Sequence, residues 1–76
     1  MVKFIGHWMF ASHIWYDEKP SPVVINIREI TYIDEHIDNV HGKHVVVSLN
    51  NKNEIPIEGD MIEVLAAFQK HLSTMY

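Results

Sequence analysis

The chain has 76 residues, of which 47% are apolar and 21% charged, and it contains no cysteine. This composition is richer in core-forming residues than a disordered segment would be, and it excludes disulfides, thiolate metal sites and thiol chemistry. The net charge of −4, with six lysines and arginines scattered along the chain, argues against nucleic acid as the main partner, because that binding depends on neutralising phosphates.

A chain of this length is expected to form one domain, residues 1–76, with a thin core of its own. Since disulfides are excluded, oligomerisation is the expected source of additional stability, and we predict a homo-oligomer. No apolar run is long enough to cross a bilayer and no export signal is recognisable, so we expect a cytoplasmic protein without membrane contact.

Residues 2–16 alternate in the manner of a β-strand, which Gly6 or Ser12 is expected to bend or to split in two. The residues assigned to the core face are Val2, Phe4, Trp8, Phe10, Ile14 and Tyr16. The other face is half polar and half aromatic, as binding surfaces often are, and carries His7, Met9, His13 and Trp15. Trp15 and Tyr16 are the strongest candidates for contact with a partner, since tryptophan and tyrosine are enriched in binding hot spots.

The pattern of the remaining residues predicts short strands joined by turns. The segment DEKPSP, residues 17–22, is typical of a turn and should close a hairpin onto residues 23–27. The elements predicted after it are a short helical turn following Asn26, strands over about 30–36, 45–49 and 54–58, a loop over 38–44 and a turn over 50–53.

A helix should follow, because Asp60 can cap it and Glu63 suits its positive N-terminus. Its apolar stripe is Met61, Leu65, Phe68, Leu72 and Met75. The apolar surface is wider than one sheet face requires, so part of the helix should meet a second subunit. The residues predicted for that interface are Met61, Val64, Leu65, Phe68 and Leu72. Together these elements predict an α+β fold: a small, curved, mostly antiparallel sheet of about five strands with one C-terminal helix.

Residues 23–68 resemble the small FlbD-type proteins of flagellar gene clusters. The resemblance lies in VVINIREITYIDE, with Ile25, Asn26, Ile30, Ile33 and Asp34 at that family's apolar and polar positions, and in HVVVSLNNKNEIPIEGDMIEVLAAF. It implies a small β-rich accessory protein with no catalytic residues. This chain differs in its longer and more aromatic first strand and in the absence of a glycine from residues 50–53. The second half is also similar to the LytTR DNA-binding domain, which would imply salt-sensitive DNA binding.

Three histidines, His36, His41 and His44, lie near Glu35 and Asp38, and imidazoles with carboxylates are ligands that zinc or nickel could use. Their spacing is not that of a recognised site, so we predict a polar loop with no metal and no cofactor.

Catalysis is not predicted either. Ser12 and His13, and likewise Asp34 and Glu35, are neighbours in sequence and would point to opposite faces of a strand.

The leading functional hypothesis is therefore a non-enzymatic, homo-oligomeric binding or regulatory protein that contacts another protein through its aromatic N-terminal hairpin. The alternative is a small-ligand sponge of the kind a phage could encode for counter-defence, with pockets at subunit interfaces. In that case Arg28 or Lys43 could face a small anionic, nucleotide-like ligand.

Overall fold

The computed structural model describes residues 2–14 and 19–75. The strands are β1 (Lys3–Ile5), β2 (Trp8–His13), β3 (Ser21–Asn26), β4 (Ile30–Asp38), β5 (Gly42–Leu49) and β6 (Glu54–Ile57). A 3₁₀ turn, Ile27–Glu29, separates β3 from β4, and helix α1 is Met61–Met75. The predicted α+β class is confirmed.

The strands form one sheet in the order β1-β2-β6-β5-β4, with β3 added to β2, and all their pairings are antiparallel. A strand has two edges, and β3 covers one edge of β2 along its whole length, from Trp8 to His13. β1 and β6 therefore share the other edge of β2, with β6 joining at the pair His13 and Ile57.

Among the described residues the sheet has six strands rather than about five, because the predicted first strand is divided at Gly6. Gly6 and His7 form a two-residue turn, and Gly6 has a φ of 59°, which a residue without a Cβ adopts at little cost. The hairpin pairs Phe4 with Met9 and Ile5 with Trp8. A bend or a split at Gly6 or Ser12 was predicted, but a reversal of the chain was not.

This reversal overturns the predicted faces of the first strand. Side chains of directly paired residues lie on the same face of a sheet, so Phe4 and Met9 share one face, whereas a continuous strand would place Phe4 with Trp8 and Phe10. Met9 is fully buried, while Trp8 and Phe10 expose 48% and 38% of their surface. The assignment of Trp8 and Phe10 to the core was wrong.

The core lies between α1 and the face of the sheet that we call the helix side. The fully or nearly buried members of the core are Met9, Ala11, Ile25, Val45, Val47, Ile57 and Val64. The opposite face, which we call the outer face, carries the alternate residues of the same strands. β5 is buried on both faces, since His44, Val46 and Ser48 on the outer face are nearly as inaccessible as their neighbours on the helix side. Burial on both faces accounts for the run of three valines in this strand, which lies between β4 and β6.

Helix α1 begins where it was predicted to begin. The Oδ1 atom of Asp60 accepts hydrogen bonds from the backbone N–H of Ile62, at 2.7 Å, and of Glu63, at 3.4 Å. These bonds satisfy backbone donors that the first turn of a helix leaves without partners.

The far end of α1 is held to the sheet through aromatic contacts. The rings of Phe4 and Phe68 meet edge to face with centroids 5.0 Å apart, and His71 stacks on Phe4 at 5.6 Å. The Nε2–H of His71 donates to the carbonyl oxygen of Gly6 at 2.6 Å. The β1–β2 turn is thereby fastened to the helix.

Within the described residues, no helix has the length and apolar character needed to cross a bilayer.

Candidate functional site

Four large apolar side chains lie exposed and adjacent on the outer face of β1, β2 and β3. These residues, which we call the aromatic patch, are Ile5, Trp8, Phe10 and Val24. Ile5 pairs with Trp8 across β1 and β2, and Phe10 pairs with Val24 across β2 and β3, so the four side chains share one face. Contiguous exposed apolar surface of this kind marks an interaction site more often than isolated exposed residues do.

The face of β2 that was predicted to bind lies mostly inside the molecule. Met9 is at the centre of the core and is inaccessible to a partner. His13, also predicted to bind, is partly buried, and its Nε2 is 2.8 Å from the hydroxyl oxygen of Ser21 on β3. Trp15 and Tyr16 lie outside the described residues.

The hydrogen bond between His13 and Ser21 was not anticipated. It joins residues eight positions apart, and only the pairing of β2 with β3 brings them together. A serine next to a histidine is also a possible nucleophile and base. Neither residue lines the cavity beside His44 or the cavity beside Leu65.

The predicted cationic residues lie in different places. The Nη2 of Arg28 donates to the Nε2 of His7 at 3.0 Å, which ties the β1–β2 turn to the 3₁₀ turn and brings together two of the predicted site residues. Lys43 is on the β4–β5 hairpin, where its Nζ is 3.6 Å from a carboxylate oxygen of Glu35. The two cations therefore do not converge on one site.

The residues predicted to form an oligomer interface on α1 divide into two groups. Val64 exposes only 1% of its surface and Met61 packs against the same core, so these two side chains are occupied within the chain. Leu65 is 42% exposed and lines, with Phe68, a shallow cavity of about 310 Å³ between α1 and the start of β4. Leu72 is partly buried. The helix stripe is rotated from the predicted one because Val64, rather than Leu65, faces the sheet.

A group of histidine and carboxylate side chains lies around a second cavity, on the outer face, with a volume of about 350 Å³. We call it the histidine cavity. Its apolar lining consists of Ile14, Ile37, Val46 and Pro56, and its polar lining of His36, Asp38, His41, His44 and Glu54. The three histidines, which were predicted to lie in a polar loop, lie at the end of the β4–β5 hairpin. The register of β4 and β5 brings the histidines together, because His36 and His44 are directly paired.

His44 is the most deeply placed of the three, with 6% of its surface exposed. Its ring centroid is 6.2 Å from that of His36 and 6.1 Å from that of His41. The Nδ1 of His44 is 3.1 Å from the carbonyl oxygen of Gly42. Since a carbonyl only accepts, Nδ1 carries a proton and Nε2 of the neutral ring is an acceptor.

Asp38 lies beside these rings and closes the turn between β4 and β5. Its Oδ1 accepts the backbone N–H of His41 at 2.5 Å and of Val40 at 2.9 Å, and its Oδ2 is 3.9 Å from the Nδ1 of His44. The hydrogen bond from the backbone of His41, followed by that from Val40 and the nearby imidazoles, lowers the pKa of Asp38 below its usual value of 3.8. The carboxyl group is therefore an anion at neutral pH.

No set of three histidine or acidic side chains in the described ranges 2–14 and 19–75 is arranged to hold a metal ion.

Comparison with models of known protein families, with curated proteins and with solved structures found no match to this chain. The resemblances to FlbD-type and LytTR proteins therefore stay predictions.

Proposed function

We propose that this protein is a non-enzymatic, self-associating binding protein that contacts its protein partners through the aromatic patch on the outer face of its first three strands. The observation that carries the proposal is the exposure of Trp8 and Phe10 next to Ile5 and Val24 in a single in-register patch.

The patch combines the side chains that dominate binding energy with a rigid support. Tryptophan contributes more to interfaces than its frequency would suggest, and ordered aromatic rings lose little conformational entropy on binding. Trp8 and Phe10 are on β2, which is paired along both edges and whose opposite face is anchored by Met9 and Ala11 in the core. A surface held in this way would bind without first having to be ordered.

The size of the molecule favours self-association as part of this function. A small domain buries a low fraction of its surface on folding, and association with a second subunit adds to its stability. A typical stable interface buries roughly 800 Å² on each partner. The chain has an accessible surface of 5390 Å², which is ample for one such interface. The aromatic patch would supply the centre of it.

A double substitution in the patch tests the proposal. Trp8→Ser with Phe10→Ser removes the two aromatic anchors from exposed positions and should leave the fold intact, while association weakens by about 2 kcal/mol or more, which is roughly thirtyfold in Kd. Sedimentation velocity measures self-association, and capture with the immobilised protein compares the set of bound partners with that of the wild type.

Tyr32→Ser is the matched control. Tyr32 is an exposed aromatic residue on β4, on the same outer face and outside the patch, so its removal should change neither the sedimentation behaviour nor the captured set. Identical oligomer mass and identical partners for the folded double variant would refute the proposal.

A further inference from the structure

The histidine cavity is a second site, separate from the aromatic patch, and its lining has a definite chemistry. We propose that it binds a small organic cation, namely a primary ammonium group carried on an apolar body of about single-ring size. The inference does not depend on the aromatic patch or on any partner protein.

The sign of the charge in the cavity is the first argument. Among the described residues, the lining includes two carboxylates, Asp38 and Glu54, and no lysine or arginine. Lys43, on the same hairpin, is ion-paired with Glu35 and is not part of the lining. The two carboxylates therefore favour a positively charged ligand.

The arrangement of hydrogen-bond acceptors is the second argument. Oδ1 of Asp38 is occupied by two backbone N–H groups, which hold the carboxylate in place and leave Oδ2 able to accept. His44 donates through Nδ1 to Gly42, so its Nε2 presents a lone pair. An ammonium group has three N–H donors and no acceptor, and it complements such a set of acceptors better than an alcohol or a carboxylate does.

The apolar lining is the third argument, because it determines the size and character of the part of the ligand that carries the ammonium group. Ile14, Val46 and Pro56 come from three different strands or strand ends and meet on the outer face of the sheet. A volume of about 350 Å³ is at the lower end of the range of roughly 300–1,000 Å³ found for ligand pockets. The cavity thus suits a small amine with one ring or a short branched chain.

The test uses 2-phenylethylamine as the probe, with 2-phenylethanol and 3-phenylpropionate as its neutral and anionic counterparts. Each compound is titrated into the uniformly ¹⁵N-labelled full chain at about pH 7.5. We expect saturable shifts of the backbone amides of His44 and Val46 with the amine. Binding of the alcohol and the acid should be weaker by about tenfold or more, because they lack the charge-assisted hydrogen bonds.

Two matched variants then assign the charge effect to the cavity. Glu54→Gln removes an exposed carboxylate from the lining and should weaken binding of the amine about threefold to fivefold. Glu58→Gln removes an exposed carboxylate just beyond β6 and outside the lining, and should leave the affinity unchanged. The amide spectrum of each variant reports whether it is folded.

Several results would overturn the inference. They are the absence of saturable shifts with the amine, equal or tighter binding of the alcohol or the acid, and equal affinity of the Glu54→Gln and Glu58→Gln variants for the amine.

Discussion

At the scale of single residues, Asp38 illustrates how one side chain organises a turn. Its carboxylate accepts two backbone N–H groups from residues two and three positions later, and this bonding lowers its pKa. A carboxyl group whose pKa is lower in the folded than in the unfolded chain contributes stability above the unfolded value. That stability is lost as the pH falls through the folded value.

The Asp38→Asn variant should therefore lose part of the acid sensitivity of the wild type. The contribution of the Asp38 charge is present above a pH of about 4, close to the ordinary value of 3.8, and is lost as the pH falls below this value through the lower pKa of the folded chain. Urea unfolding midpoints measured from about pH 5 down to pH 3 should fall more steeply for the wild type than for Asp38→Asn. Parallel pH profiles would show that Asp38 is not bonded in this way.

At the scale of elements, the β1–β2 hairpin decides which side chains bind and which form the core. A two-residue turn at Gly6 and His7 pairs each odd-numbered residue of one strand with an even-numbered residue of the other. Each side chain of β2 therefore lies on the opposite face from the one it would occupy if β1 continued into β2 without a turn. The contact of His71 with the Gly6 carbonyl adds a tie from α1 to this turn. The aromatic patch exists on the surface because of this one turn.

Alanine substitutions at two neighbouring positions test the assignment of faces. Met9→Ala should cost about 2–5 kcal/mol of the free energy of unfolding, because Met9 is fully buried and its loss leaves a cavity. Phe10→Ala should cost about 1 kcal/mol, since more than a third of this side chain remains in water. Urea unfolding at low protein concentration measures both, and a larger loss for Phe10→Ala would contradict the hairpin register.

At the scale of the whole molecule, the chain is acidic, has a small hydrophobic core and exposes an apolar patch. The isoelectric point is about 5.8, and protonation of its six histidines would raise the formal charge from −4 to +2. Proteins near zero net charge repel one another least, so exposed apolar surface then has its greatest effect on association.

The solubility of the protein should therefore pass through a minimum near its isoelectric point. The double substitution Trp8→Ser and Phe10→Ser removes apolar surface without changing the charge, so it should raise solubility at that minimum more than at neutral pH. Protein remaining in the supernatant after equilibration across this pH range is the measurement. A minimum of the same depth in both proteins would argue that the patch does not drive contacts between molecules.

The class of the fold and much of its order could be predicted from the sequence, because these features depend on local interactions. Asp60 caps α1 through its own neighbours, the 3₁₀ turn follows Asn26 as predicted, and β5 and β6 flank the turn at residues 50–53. The alternation of apolar and polar residues in β6 correctly predicted that Ile55 and Ile57 lie on the same face of the sheet, since both pack against the core.

The two candidate sites could not be predicted, because they depend on contacts between segments that are distant in sequence. Whether Met9 or Phe10 is buried depends on a chain reversal that periodicity alone does not distinguish from a bulge, because both interrupt the alternation at the same glycine. The histidine cavity depends on the pairing of His36 with His44 and on residues from β6, which are distant in sequence. Local pattern predicts what each segment forms, whereas the contacts between segments determine which side chains meet.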